Sequence, residues 1–128
     1  MGHRVLIIED DEVLRDIYSL KFEMEGFDVA TATDGQAGLE QVEQHQPQLI
    51  ILDMLMPRLG GIEFLRRFRD QYPESPAIIL VASNKSNTET VTAAKKLGAA
   101  EYIVKAQLTP EEIVHRARLH LDGPHATK

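Results

Sequence analysis

Residues 49–68 have the sequence LIILDMLMPRLGGIEFLRRF, and this stretch decides the fold. Its first four residues form an uncharged apolar run, as expected of a strand that is buried on both faces of a parallel sheet. The run ends at Asp53, and a proline and two glycines then predict a loop. Beyond the loop, Ile62, Leu65 and Phe68 recur at steps of three, which predicts a helix with one apolar face. The stretch therefore predicts one unit of strand, loop and helix.

The same unit recurs along the whole chain. Short apolar runs alternate with segments of helical pattern, which is typical of a parallel sheet covered by helices on both faces. The predicted strands are residues 4–8, 27–32, 49–52, 77–82 and 100–104. Parallel strands joined by a dozen or more residues require right-handed crossovers. The predicted fold class is therefore α/β, with five βα units that form a doubly wound parallel five-stranded sheet in a three-layer (βα)5 sandwich.

The helices are predicted from the spacing of apolar residues and from signals at their ends. The first helix has one apolar face, whose members recur at steps of three and four until a glycine ends the helix. They are Val13, Ile17, Leu20 and Met24. A second helix is predicted to start at Asp34, and a weaker one covers about residues 87–97. In the last helix, Thr109, Pro110 and Glu112 offer an N-cap, a first-turn proline and a capping-box acid.

The composition is that of one globular domain. Of the 128 residues, 43% are apolar and 27% are charged. A chain of this size buries about two-thirds of its unfolded surface, so it needs no disulfide or metal staple. Zero cysteines exclude a disulfide framework, thiolate metal sites and cysteine nucleophiles. We expect residues 1–122 to form the domain and residues 123–128 to form a flexible C-terminal tail or linker stub.

The charge and hydropathy of the chain limit the classes of partner that it can bind. Twenty acidic and fourteen basic residues give a formal charge of −6, which is unfavourable for holding nucleic acid through its phosphates. No apolar run approaches the length of a membrane span, and the amino end lacks the pattern of a signal peptide. We therefore expect a cytoplasmic protein that contacts neither nucleic acid nor membrane directly.

Polar side chains follow each predicted strand directly. In an open parallel sheet the ligand crevice lies beyond the carboxyl ends of the strands, so these residues are the candidates for chemistry. In chain order they are Glu9, Asp10, Asp11, Glu12, Asp34, Asp53, Ser83, Asn84 and Lys105. If strands one and three are neighbours, Glu9, Asp10 and Asp53 crowd one pocket. Like charges about 4 Å apart cost on the order of 4 kcal/mol per pair, and a hard cation such as Mg2+ would neutralise them.

Asp53 is the candidate nucleophile of this pocket. A carboxylate beside bound Mg2+ can attack phosphorus and form an acyl phosphate. Lys105 would hold one phosphoryl oxygen as a point charge, and the Ser83 hydroxyl would donate to another. Ordinary structural roles stay open for all three, since Asp53 could cap a turn, Lys105 could form an ion pair and Ser83 could cap the next helix.

The residues at the strand ends resemble those of a known family, the receiver domains of two-component response regulators in the CheY-like superfamily. The resemblance covers residues 5–121 and is carried by four motifs. They are VLIIEDDEVLR, LIILDMLMPRLGGIEFLRR, IILVAS and GAAEYIVK. The resemblance implies a flavodoxin-like sheet with the strand order 2-1-3-4-5.

Carried over residue by residue, the resemblance implies a role for each member of the site. Asp53 becomes the phosphorylation site. Glu9 and Asp10 become metal ligands, and the backbone carbonyl of Leu55 completes the Mg2+ site. Ser83 and Tyr102 become a switch pair, in which the serine hydroxyl moves to the phosphoryl group and the tyrosine ring turns inward. On its place in an apolar strand alone, that tyrosine is a half-buried packing aromatic.

The chain departs from the family's pattern in several places. Ala106 follows Lys105 where the family commonly has proline, so we expect this loop to lack the usual cis peptide bond. Asn84 stands where a small residue is common and Lys85 follows it, so we expect unusual access to the phosphoryl group. Helix 4, strand 5 and helix 5 form a candidate homodimer face, but the charges that pair across it in receivers of transcription factors are present only in part. They are Glu101, Arg116 and Arg118.

The resemblance implies a phosphoacceptor receiver domain. Such a domain takes a phosphoryl group onto Asp53, with Mg2+, from a sensor histidine kinase or a phosphotransfer protein. It has no conventional substrate turnover but catalyses its own phosphorylation and dephosphorylation. The added charge would shift a two-state equilibrium and change a protein-binding face, so the signal would pass to a downstream protein partner or to an output domain missing from these residues.

Two alternatives stay open at this point. A phosphorylation-independent interaction domain would retain the fold and these residues without using them. A flavodoxin-like cofactor carrier would share the layout, but the four acids that follow strand one would repel a flavin phosphate.

Overall fold

The computed structural model describes residues 2–126 of the chain. Strands and helices alternate from one end to the other. In order, the elements are β1 (Arg4–Ile8), α1 (Glu12–Met24), β2 (Asp28–Ala32), α2 (Gly35–His45), β3 (Leu49–Leu52), α3 (Gly61–Gln71), β4 (Ile78–Ser83), α4 (Thr88–Lys96), β5 (Glu101–Val104) and α5 (Pro110–Ala126). A single 3-10 turn, Lys105–Gln107, lies between β5 and α5.

The five strands form one parallel sheet in the order β2-β1-β3-β4-β5. The predicted fold class and strand order are confirmed, and each predicted strand end lies within one residue of the observed end. Strands β1 and β3 pair from Val5 and Leu49 to Ile8 and Leu52. Because the two strands end side by side, the acids that follow them start from neighbouring backbone positions.

Helices cover both faces of the sheet, so the core has two halves. Successive strand residues point to opposite faces. Leu6 and Ile8 of β1 therefore pack into the half that holds the buried residues of α2, α3 and α4. Val5 and Ile7 pack into the half that holds those of α1 and α5. This is the predicted three-layer sandwich, and it leaves the carboxyl edge of the sheet free for polar residues.

The cap predicted at the start of α5 is present. The Thr109 N–H donates to the Glu112 carboxylate at 2.8 Å, and the Glu112 N–H donates to the Thr109 hydroxyl at 3.1 Å. These two hydrogen bonds form a reciprocal capping box. The helix continues to Ala126, so it includes residues 123–126 of the expected tail, while residues 127 and 128 lie outside the described part of the chain.

The apolar face noted in α1 does not pack on the sheet. Its four members are exposed: Val13 by 67%, Ile17 by 37%, Leu20 by 56% and Met24 by 68%. We call these four residues the α1 stripe. Helix α1 instead buries Tyr18 and Phe22, with Leu14 packed beside them. Aromatic side chains bury more area than aliphatic ones, which favours this second face. The α1 stripe therefore lies in solvent.

Among the described residues, no helix has both the length and the hydropathy that crossing a membrane would require.

Candidate metal and phosphoacceptor site

Three carboxylates meet at the carboxyl edge of the sheet. Glu9 and Asp10 follow β1, Asp53 follows β3, and each offers an oxygen within 4.8 Å of the others. Glu9 is 2% exposed and Asp53 is 5% exposed, whereas Asp10 is open to solvent. The structure thus brings together the three acids that the sequence places at the ends of neighbouring strands.

Sheet-like hydrogen bonds extend past the strands and fix the backbone of two of these acids. The Glu9 N–H donates to the Ala32 carbonyl at 3.0 Å, and the Asp53 N–H donates to the Ile8 carbonyl at 3.1 Å. Both side chains therefore leave the sheet from positions that the strand pairing sets.

Arg15 holds the turn between β1 and α1. Its guanidinium donates to the carbonyls of Glu9 at 3.0 Å and Asp10 at 3.4 Å. No role for Arg15 follows from the sequence alone. An arginine one turn into a helix that follows an acidic strand end is the available signal, but a helical arginine usually lies in solvent.

Among the described residues, Lys105 is the cation that pairs with the carboxylates of Glu9 and Asp53. Its Nζ lies 2.6 Å from a Glu9 oxygen and 3.5 Å from an Asp53 oxygen, and its side chain is 10% exposed. Three carboxylates and one ammonium leave two units of negative charge at this edge. That excess equals the charge of one divalent cation.

Burial and charge act against each other on the two groups in closest contact. Burial has the largest influence on Glu9 and raises its pKa, the charge of Asp53 acts in the same direction, and Lys105 opposes both. Burial alone would lower the pKa of Lys105, but the contact with Glu9 and the charges of Asp53 and Glu9 outweigh it and raise that pKa. Lys105 is therefore held in its charged form.

Tyr18 is a further buried polar group near the pocket. It lies on α1, is 3% exposed and has a pKa raised mainly by burial. The charges of Lys105, Glu9 and Asp53 all act on its hydroxyl. The sequence alone does not indicate a place for Tyr18 near this pocket, because a tyrosine among leucines and isoleucines indicates core packing first.

The two residues assigned to the switch both hold the backbone of Lys85. Ser83 is fully buried, and its hydroxyl oxygen accepts the Lys85 N–H at 3.2 Å. The Tyr102 hydroxyl donates to the Lys85 carbonyl. Burial raises the pKa of Tyr102, so the hydroxyl keeps its proton as a donor. Lys85 therefore connects β4 and β5 through two side chains.

Asn84 and Ala106, two of the positions that depart from the family pattern, contact each other. The Ala106 N–H donates to the Asn84 side-chain oxygen at 3.0 Å, which joins the loop after Ser83 to the turn that begins at Lys105. None of the peptide bonds among residues 2–126 is cis, as expected from alanine at position 106. A proline at 106 would have no N–H to donate in this way.

The charges considered for a homodimer are paired within the chain. The Glu101 carboxylate contacts Arg116, and it lies 2.8 Å from the Nε2 of His120. Arg118 lies 3.5 Å from the Glu25 carboxylate and 5.2 Å from the centre of the Phe27 ring. Dimerisation through this face stays a prediction.

The donor set fits Mg2+. This ion prefers oxygen ligands and usually takes one or two carboxylates together with water and phosphate oxygens. The pocket offers two buried carboxylates and an exposed one. Leu55 is 55% exposed, and its N–H donates to Asp53 at 3.4 Å, so it lies beside the pocket. Its carbonyl as a ligand stays a prediction.

Comparison with known proteins gives the family. Fold and site together define an α/β domain with an acidic pocket at the carboxyl edge of a doubly wound sheet. The family model described as response regulator receiver domain matches residues 5–118. The chain belongs to this family. Receiver domains generally bind Mg2+ at an acidic pocket, and this structure has an acidic cluster of Glu9, Asp10 and Asp53.

Two curated relatives are similar to most of this chain, in agreement with the family assignment. The alkaline phosphatase synthesis transcriptional regulatory protein PhoP of Bacillus subtilis is 31% identical over 118 residues, which are 92% of this chain and 48% of PhoP. The response regulator ArlR of Staphylococcus aureus is 38% identical over 115 residues, which are 90% of this chain and 51% of ArlR. The chain thus spans about half the length of these two relatives.

Solved structures share the fold. The Vibrio cholerae chemotaxis protein CheY4 superposes with a TM-score of 0.84 at 27% identity, over 92% of this chain and 98% of CheY4. A CheY-like receiver domain protein from Methanospirillum hungatei superposes with a TM-score of 0.89 at 23% identity, over 100% of both chains. The second similarity shows the fold alone.

Proposed function

We propose that Asp53 accepts a phosphoryl group from a sensor histidine kinase or a phosphotransfer protein. The observation that carries this proposal is the convergence of Glu9, Asp10 and Asp53, two of which pair with the Lys105 ammonium, so that the three carboxylates exceed it by two negative charges. The two buried carboxylates beside one ammonium still carry an excess of negative charge, which is costly unless a further cation accompanies it. We assign the Mg2+ site to these three acids together with the Leu55 carbonyl.

In the proposed reaction an Asp53 carboxylate oxygen attacks the phosphorus of a phosphohistidine. The new O–P bond forms as the P–N bond breaks, and the imidazole leaves with the bonding electron pair. Bound Mg2+ would supply charge neutralisation for the transferring oxygens. Lys105 already lies 3.5 Å from Asp53, so its ammonium needs only a small shift to reach a phosphoryl oxygen. Attack of water on the acyl phosphate would return the free carboxylate.

The contacts of Lys85 provide a route from Asp53 to the surface. If the Ser83 hydroxyl turns toward the phosphoryl group, it must give up the Lys85 N–H that it now accepts. If the Tyr102 ring turns inward in the same step, its hydroxyl must likewise give up the Lys85 carbonyl. We propose that this exchange alters the face of α4, β5 and α5, because Lys85 lies in the short loop that leads into α4, three residues before Thr88.

The altered face would act on a downstream protein partner or on an output domain outside these residues. Because the chain spans about half of its curated relatives, both routes are consistent with the comparisons. Histidine kinases pass their signal inside the cell, so we propose a cytoplasmic location. A homodimer through the same face would require Glu101 to exchange its contacts with Arg116 and His120 for contacts across the interface.

The α1 stripe is the surface that we assign to the phosphodonor. Its steps of four, three and four residues match the seam of a coiled coil, in which apolar positions recur about every 3.5 residues. The stripe begins at Val13, three residues after Asp10, so a helix laid along it would end beside the pocket. We therefore propose that a helix of the phosphodonor docks on α1 and presents its phosphohistidine to Asp53.

Replacing Leu20 with glutamate is expected to slow phosphotransfer from a phosphorylated histidine kinase by about tenfold, because a charge would be buried in the docked seam. Phosphorylation by acetyl phosphate should stay at the wild-type rate, since this small donor needs no docking. Leu119→Glu is the matched control, because Leu119 has a similar exposure, 51% against 56% for Leu20, but lies on α5 instead of α1. Equal slowing with both donors would contradict the docking role.

Beryllofluoride with Mg2+ tests the proposed function against the interaction-domain alternative. We expect it to bind at Asp53 and to shift the amide resonances of Ser83, Lys85 and Tyr102 in an NMR spectrum. An unchanged spectrum would leave a receiver fold that acts without phosphorylation. The flavodoxin-like carrier drops out, because the chain belongs to the receiver family.

A further inference from the structure

The loop between β3 and α3 contains a backbone conformation that its own residues do not favour. Arg58 has φ = 63°, in the left-handed region where a side chain other than glycine is strained. The loop also carries Leu55, two residues after Asp53. A strained residue persists only where its surroundings hold it in place. The contacts of Arg58 must therefore stabilise its strained conformation.

The partner of Arg58 is a buried carboxylate on the neighbouring connection. Asp34 is 1% exposed, and its second oxygen forms an ion pair with the Arg58 guanidinium. Its first oxygen accepts the Ala37 N–H at 2.8 Å and so caps α2. The hydrogen bond from Ala37 is the largest influence on Asp34 and lowers its pKa, and Arg58 adds to this against the effect of burial. Asp34 is thus a fixed anchor.

The backbone makes a second tie between the same two segments. The Gly35 N–H donates to the Leu59 carbonyl at 2.9 Å. A Cβ on Gly35 would lie 2.5 Å from that carbonyl oxygen, so the close approach requires glycine. Leu59 itself is 9% exposed. The far half of the loop is therefore seated on the start of α2 by one ion pair and one backbone hydrogen bond.

We propose that Asp34 and Arg58 form a clamp that positions the loop 54–60 for Mg2+ binding. Neither residue touches the metal site, so both are positioning residues. The clamp holds the loop beyond Leu55 while β3 holds it at Asp53, and the Leu55 carbonyl between these two points is pre-ordered. The inference rests on the proposed function in one respect, the assignment of that carbonyl as a Mg2+ ligand.

Calorimetric titration of the whole chain with Mg2+ tests the clamp. Arg58→Ala and Asp34→Asn should each bind Mg2+ about tenfold more weakly than the wild type, the usual size of an effect from residues that orient metal ligands. Asparagine keeps the cap on α2, so Asp34→Asn removes the ion pair alone. Because both changes break one contact, the double variant should bind no more weakly than either single variant.

Three further variants separate the clamp from general loss of stability. Arg58→Gly lacks the guanidinium but relieves the left-handed strain, so it should be more stable than Arg58→Ala and still bind Mg2+ as weakly. Arg58→Lys keeps the charge and should recover part of the affinity. Arg66→Ala is the matched control, because Arg66 is exposed on α3 and, among the described residues, pairs with Glu63 alone, at 3.4 Å.

The outcomes distinguish the clamp from the proposed function. Wild-type affinity in Arg58→Ala and Asp34→Asn, or additive losses in the double variant, would overturn the clamp. If the wild type itself bound no Mg2+, the proposed metal site would fail. The clamp would then be decided by amide hydrogen exchange in the metal-free protein, where faster exchange at Leu55 and Leu59 in Arg58→Ala supports it and unchanged exchange overturns it.

Discussion

Replacing Lys105 with alanine is expected to lower the free energy of unfolding of the Mg2+-free protein by about 3 kcal/mol near pH 7, the cost of breaking a buried ion pair by removing one partner. Lys105 contacts both Glu9 and Asp53, and without it these buried carboxylates have no cation. Urea unfolding with a chelator measures the loss. Mg2+ should still bind, and it should stabilise the variant more than the wild type, because more negative charge is left to neutralise.

Lys105→Ala is also expected to uncouple phosphorylation from the switch. Beryllofluoride and Mg2+ should then leave the resonances of Tyr102 unchanged. Lys85→Ala is the matched control, since its side chain is exposed and alanine keeps the backbone contacts to Ser83 and Tyr102. Its stability should stay within about 0.5 kcal/mol of the wild type. Full stability of metal-free Lys105→Ala, or an intact Tyr102 response, would contradict the role given to Lys105.

Asp53→Asn is expected to raise the melting temperature of the metal-free protein, with a gain of about 1 kcal/mol in the free energy of unfolding. The change removes repulsion from Glu9 and Asp10 and loses only the 3.5 Å contact with Lys105. Lys105 keeps its shorter contact with Glu9, at 2.6 Å. Scanning calorimetry with a chelator measures the shift, and added Mg2+ should narrow the difference, because the wild type gains more from the ion.

The control for this shift is Asp16→Asn. It removes the same charge from an exposed position on α1, outside the acidic pocket. If crowding at the pocket is the cause, the control should change the melting temperature little. A lower melting temperature in metal-free Asp53→Asn would mean that attraction to Lys105 outweighs the repulsion among the three acids.

The fold could be predicted from the sequence because its signals are local. Four-residue and longer apolar runs predict buried strands, and the capping box at Thr109 and Glu112 marks a helix start that the structure reproduces bond by bond. The convergence of Glu9 and Asp53 followed from a single topological step, the pairing of β1 with β3. Residues that directly follow paired parallel strands lie close together, and their proximity does not depend on the conformation of the loops.

The orientation of α1 could not be predicted in the same way. The helix has two apolar faces, and both satisfy the helical period. Which face meets the sheet is decided by tertiary packing, and here Tyr18 and Phe22 are buried while the α1 stripe is exposed. The outcome matters for function, because the face left in solvent is the one available to a partner helix.

Side-chain contacts between loops could also not be predicted from the sequence. Asp34 and Arg58 are twenty-four positions apart, and Asn84 and Ala106 are twenty-two positions apart. No local pattern links either pair, since each contact depends on how two loops are placed by different strands. Asp34 was recognised at a strand end, but its partner could be found only from the tertiary structure.

Peptide mapping after incubation with acetyl phosphate and Mg2+ tests most directly whether the three acids form a phosphoacceptor pocket. We predict one phosphoryl group per chain, located on the peptide that contains Asp53, and none in the presence of a chelator or in Asp53→Asn. Phosphorylation at another residue, equal incorporation without Mg2+, or no incorporation in the wild type with Mg2+ would contradict the proposal.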